Sequence, residues 1–140
     1  MDASLDPEDP TTAASLERSD LSYRDLRVRA VFSIAAAIGN AMTPESLSAM
    51  SVPVRVVVGK DDTMAPPRVN AQHVARYAPN ATLLLLPGVD HYTFLPTCGW
   101  AGRWFLDEIC AERDELPRAE VHRVVARNAP RFFEENLVSD

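Results

Sequence analysis

The sequence predicts an α/β chain: about three parallel strands flanked by helices. Three observations predict it. Apolar runs rich in β-branched residues recur at Arg27–Ala37, Val54–Val58 and Thr82–Leu86, and stretches with helical signals separate them. The runs are continuous and not alternating, which marks strands covered on both faces, as in parallel sheets. The order strand, helix, strand, helix, strand, helix is that of right-handed crossover units.

Each element has its own reason. Residues 1–20 hold six acids against one base, Arg18, together with Pro7 and Pro10, and read as an acidic, loosely ordered lead-in. Residues 21–140 form the folded part. Arg27–Ala37 (RVRAVFSIAAA) starts β-branched and aromatic and is read as a buried strand, although its alanines also suit a helix. Thr43-Pro44-Glu45 is a helix start, with Thr43 as N-cap, Pro44 at the first helical position and an acid at the positive end of the helix dipole. Pro53 closes that loop before the second strand, Val54–Val58. Pro66-Pro67 opens the next helix, about Arg68 to Ala78, with Val69, His73, Val74, Tyr77 and Ala78 on one face. Pro79-Asn80 stops it, and Thr82–Leu86 is the third strand. Residues 96–116, with Gly99, Gly102 and both tryptophans, read as irregular. From Arg118 a last helix carries Val121, Val124, Val125, Ala129, Phe132 and Phe133 on one stripe. Pro130 removes a backbone donor from it and is expected to kink it.

Composition excludes some function classes. The chain has 140 residues, 46% hydrophobic and 24% charged, which is globular material for one domain or part of one. Its formal charge of −6 argues against nucleic acid as a partner, because phosphate binding needs a basic patch. No apolar run is long enough to span a bilayer. No signal peptide is visible at the N-terminus, so the chain as written reads as cytoplasmic, with export open if the true start lies upstream. In that compartment Cys98 and Cys110 are expected as free thiols, with a local disulfide as the alternative if the chain is exported.

The chemistry gathers at two strand ends. Asp62 ends VRVVVGKDD and lies three residues after Gly59. His91 ends LLLLPGVDH and lies three residues after Gly88. In a parallel sheet, functional groups sit beyond the carboxyl ends of the strands. An acid and then a histidine on successive strand ends is the second part of the Ser…Asp…His order of α/β-hydrolases. In that arrangement Asp62 would accept the Nδ1 proton of His91 and leave Nε2 as general base. Asp61 competes with Asp62 for the role, and either acid alone could be a turn residue. The first part of the order, a G-x-S-x-G elbow, is missing: no serine has a glycine two residues away on either side. His73 reads as a helix-boundary residue and His122 as a solvated one. Asp90-His91 is an adjacent pair without a third ligand at useful spacing, so no metal and no cofactor is expected.

These segments resemble a known family. DLRVRAVFSIAAAIGNAMTPESL, VPVRVVVGKDDTMAPP, LLLLPGVDHYTFLPTC and AEVHRVVARNAPRFF are similar to the C-terminal half of α/β-hydrolases of the predicted dienelactone hydrolase type, related in pattern to platelet-activating-factor acetylhydrolases. The resemblance runs from about Arg24 to Phe133. It implies the C-terminal part of an α/β-hydrolase fold, Asp62 as triad acid and His91 as triad base, with Tyr92 and Phe94 lining the region below the site. It implies a carboxylic-ester or lactone substrate. The family's elbow serine, oxyanion loop and early strands lie outside the resemblance, so the chain is expected to be inactive alone. A missing N-terminal hydrolase half is the expected partner. The alternatives are a non-catalytic interaction module, such as a homodimer joined at the first strand, or a self-sufficient hydrolase using water or Cys98 as nucleophile.

Overall fold

The computed structural model describes residues 6, 8–19, 21–110 and 116–137. At its centre is a parallel sheet of three strands, β1 (Val31–Ile34), β2 (Val54–Gly59) and β3 (Ala81–Leu86), in the order β1-β2-β3. Val31 pairs with Val54, and Val54 with Ala81. The α/β class and the strand count agree with the sequence expectation.

The strands alternate their side chains between two helical layers. Val54, Val56 and Val58 of β2 point to one face and meet Leu47 of α2 (Pro44–Ser48) and Ala71, Val74 and Ala78 from α3 (Ala71–Tyr77) and its C-cap. Val57 points to the other face, where it packs with Leu86, Val89 and Val121 of α6 (Arg118–Leu137). Phe32 reaches the same layer and meets Phe132 and Phe133 at ring-centroid distances of 5.8 and 6.3 Å. A central strand covered on both faces buries side chains of both, and β2 is apolar at every position except Arg55.

Local chemistry sets the element ends. Thr43 caps α2 as expected, its Oγ1 accepting from the Ser46 N–H at 3.1 Å. β1 is shorter than the apolar run that announces it. Ala35 follows it at φ 49°, a left-handed conformation that takes the chain out of the sheet. α3 starts later than Pro66-Pro67 suggest, because Asn70 is used otherwise. Its Oδ1 accepts from the Gly39 N–H at 3.0 Å and its Nδ2 donates to the Pro66 carbonyl at 3.2 Å.

Residues 96–116 depart from the irregular reading. They contain two short helices, α4 (Trp100–Phe105) and α5 (Asp107–Cys110); residues 111–115 lie outside the described set. The aromatic residues of α4 face outward, with Trp100 84% and Trp104 79% exposed, so no core-facing periodicity announces this helix. Cys98 and Cys110 are joined by a disulfide, with Cα atoms 5.6 Å apart. This corrects the expectation of free thiols: the α4–α5 turn returns the chain to its start, a proximity that spacing does not reveal. Arg118, 3% exposed, ties the same region together. Its guanidinium donates to the Pro96 carbonyl at 2.9 Å and the Ile109 carbonyl at 2.7 Å. Within the acidic lead-in, α1 (Pro10–Ser19) buries none of its residues. α6 runs from Arg118 to Leu137 with Pro130 inside it.

Candidate functional site

Asp62 and His91 lie 29 residues apart in sequence and meet beyond the carboxyl ends of β2 and β3. Parallel pairing brings them together: Gly59 and Leu86 are the last partners of the β2–β3 register, and each chain turns directly after that pair. Gly59 is required here by close approach. A Cβ at this position would overlap the carbonyl oxygen of Val89 in the neighbouring turn. Gly88 is required by conformation, with φ 68°. Backbone bonds lace the two turns, Lys60 N–H to Leu86 O at 2.8 Å and Asp61 N–H to Val89 O at 3.2 Å.

The three acids of these turns divide their work. Asp61 Oδ2 accepts from the Gly88 N–H at 2.8 Å and so braces one turn against the other. Its Oδ2 is engaged there, whereas it is the Asp62 carboxylate that meets the histidine. Asp62 is 3% exposed. Its Oδ1 accepts from the Ala65 N–H at 2.7 Å, and its Oδ2 lies 2.7 Å from His91 Nδ1. Asp90 caps the 3-10 turn His91–Phe94 by accepting from the His91 N–H at 2.6 Å, and it also reaches the Thr63 N–H at 3.4 Å. The sequence reading missed this cap. Its signal was present: an aspartate just before a short helical turn is a preferred cap.

The pairing determines the histidine's tautomer. An ionised carboxylate only accepts, so the nitrogen facing Asp62 carries the hydrogen. In the neutral ring Nε2 then has its lone pair free. Among the described residues nothing hydrogen-bonds that nitrogen. The side chain of His91 is 26% exposed, whereas that of Asp62 is 0% exposed. The acid is buried behind the base, and the base opens outward. The Tyr92 ring stands edge-on to the imidazole, centroids 5.7 Å apart. Phe94 packs instead into the core layer between the sheet and α6.

The other titratable residues singled out in sequence lie elsewhere. His73 Nε2 meets the Met42 carbonyl at 2.9 Å, and His122 Nε2 meets that of Leu95 at 3.1 Å. Both serve backbone carbonyls. Cys98 is half of the disulfide and offers no thiolate for a nucleophile. No group of three or more His, Cys, Asp or Glu residues that could hold a metal occurs among the described residues. No helix among them is long and apolar enough to cross a membrane.

No protein-family model matches the chain, and no curated protein sequence matches it. Among solved structures it is similar to part of BpoC from Mycobacterium tuberculosis H37Rv, assigned as a non-heme bromoperoxidase. That match has 29% identity over 34% of this chain and 18% of the other, with a TM-score of 0.32. It is also similar to part of MGS-MChE2, an α/β-hydrolase enzyme from the metagenome of sediments of the lagoon of Mar Chica, Morocco. There the identity is 21% over 61% of this chain and 32% of the other, with a TM-score of 0.33. The chain spans less than a third of the length of either structure.

Proposed function

We propose that this chain supplies the acid and the general base of a serine-type carboxylic-ester or lactone hydrolase of α/β-hydrolase ancestry. The observation that carries the reading is the 2.7 Å contact from His91 Nδ1 to the buried carboxylate of Asp62. A surface turn does not need a fully buried acid aimed at a half-open imidazole; a proton relay does.

In this reading Asp62 holds His91 in the Nδ1–H tautomer and stabilises the imidazolium formed when Nε2 accepts a proton. The proton would come from a serine hydroxyl attacking the ester carbonyl, and Nε2 would then return it to the leaving alkoxide. The chain contains no G-x-S-x-G elbow, so the serine and the oxyanion donors come from a segment outside it. His91 and Asp62 alone supply only base assistance to water, so the chain by itself is essentially inactive.

The test is complementation. Hydrolysis of p-nitrophenyl acetate and of a small lactone is measured for the chain alone and for the chain produced with the coding region directly preceding it. Activity that arises only in the second case, and is lost in His91→Ala, is the expected result. Turnover by the chain alone that survives His91→Ala would refute the reading.

A second reading, an interaction module that dimerises through β1, is favoured by one observation. Among the described residues β1 pairs only with β2, and Ile34 on it is 44% exposed. Pairing across a twofold axis would satisfy the open edge. A monomer in sedimentation at high concentration would exclude it.

A further inference from the structure

The disulfide between Cys98 and Cys110 lies beside a buried positive charge. Arg118 opens α6 and is 3% exposed. Among the described residues no carboxylate comes within ion-pair distance of it. Its Nε is shut off from water and has no hydrogen-bond partner. A cation taken out of water is normally paired with an anion, because neutral acceptors alone do not offset its desolvation. Arg118 has only neutral acceptors: the Pro96 and Ile109 carbonyls and, 3.9 Å from Nη1, the sulfur of Cys98.

A group this enclosed is closed to a dissolved anion, so its counter-ion has to arise inside the chain. Cys98 is the neighbour that can become one. Reduction of the bridge frees its sulfur, and a guanidinium beside a thiol favours the thiolate. The two sulfurs differ in access, since Cys98 is half-buried and Cys110 is 5% exposed. The arms also have a second tie. Pro96 lies two residues before Cys98 and Ile109 directly before Cys110, so one guanidinium holds both arms next to the bridge. Gly102 of α4 packs on the same spot: a Cβ there would come within 3.2 Å of Cys98 Cβ and of Cys110 Sγ.

We infer that Cys98–Cys110 is a reversible exchange site for small thiols, with Cys98 as the reactive sulfur, Cys110 as the resolving one and Arg118 as the built-in counter-ion. An external thiolate attacks Cys98 Sγ, and the electron pair of the S–S bond leaves on Cys110 Sγ, which takes a proton from water. A second external thiolate attacks the outer sulfur of the mixed disulfide, and that electron pair leaves on Cys98 Sγ. Two external thiols are oxidised to one disulfide, and the bridge is reduced to a thiol and a thiolate. The reverse sequence closes it. The inference is independent of the Asp62–His91 reading, since neither residue takes part.

The probe is reduced glutathione in excess over the oxidised chain, quenched with acid at intervals and followed by peptide mass spectrometry. One glutathione on Cys98, followed by the dithiol, is expected, with the circular dichroism of the chain unchanged. The reduced chain is then pulsed with iodoacetamide at pH 7. Cys98 should be alkylated at least about tenfold faster than Cys110, and about tenfold slower in Arg118→Met than in wild type. Arg118→Lys, which keeps the charge, should retain most of the wild-type rate. Should the adduct be too short-lived to weigh, or Arg118→Met fail to fold, the wild-type ratio of the two alkylation rates decides. A bridge that stays intact in the folded chain, first attack at Cys110, or equal Cys98 rates in wild type and a folded Arg118→Met would overturn the inference.

Discussion

Replacing Asp62 in two ways separates its structural contribution from its effect on the proton of His91. The carboxylate accepts the Ala65 N–H and the His91 Nδ1–H, both at 2.7 Å. Asp62→Ala removes both acceptors. Ala65 is 1% exposed, so its donor finds no water and the loss costs about 1–3 kcal/mol. His91 is partly open, so water replaces the second bond, and that loss costs about 0.5–1 kcal/mol. Asp62→Ala should therefore destabilise the fold by about 2–3 kcal/mol. Asp62→Asn behaves differently. Its amide oxygen keeps the Ala65 N–H, and its NH₂ then faces the imidazole. A donor cannot face Nδ1–H, so His91 switches to the Nε2–H tautomer and Nδ1 becomes the acceptor. The stability cost stays under about 1 kcal/mol, but the nitrogen that should act as base now carries the proton. Urea unfolding reads the first quantity, and ¹⁵N shifts of the two ring nitrogens read the second. Asp62→Ala costing less than about 0.5 kcal/mol, or an unchanged tautomer in Asp62→Asn, would refute the reasoning.

Other perturbations test the frame around the pair. Asp61→Ala should cost about 1 kcal/mol through the Gly88 N–H it leaves unpaired and should not change the His91 tautomer; an inverted tautomer would show that the two acids share the histidine. Gly59→Ala should lower stability by about 3 kcal/mol, because the added methyl meets the Val89 backbone, which cannot retreat without breaking the second turn; a urea midpoint equal to wild type would contradict the close approach. Alkylation under denaturing conditions should label neither Cys98 nor Cys110 before reduction and both after it, for protein produced in an oxidising compartment. The Cys98→Ser/Cys110→Ser double variant should lose about 3 kcal/mol, the chain-entropy value for a loop of this length. Labelling before reduction would remove the bridge from the fold.

Much of the fold was legible because its signals are local. Thr43-Pro44-Glu45 encodes a helix start within three residues, and the Thr43 cap forms. The valines of β2, interrupted only by Arg55, encode two-sided burial, and that strand is central. Gly59 and Gly88 encode the turns that carry Asp62 and His91. Helices α4 and α5 were not legible. They are short, and the large residues of α4 face solvent, so no apolar period distinguishes them from a loop. Asp61 and Asp62 could not be told apart, since both follow the same strand and differ only in which turn atom each carboxylate meets.

The sequence by itself determined the parallel three-strand class, the two glycine turns and the presence of an acid and a histidine at their ends. All of these follow from residue type and spacing along the chain. Only the tertiary structure decided that Asp62 and not Asp61 meets His91, that the contact is made through Nδ1, and that Cys98 and Cys110 are bridged. The reason is physical: hydrogen bonds and disulfides act over a few ångströms, and the groups involved lie 12 and 29 residues apart in the chain. Register and packing bring them within reach, and neither is a property of any local window.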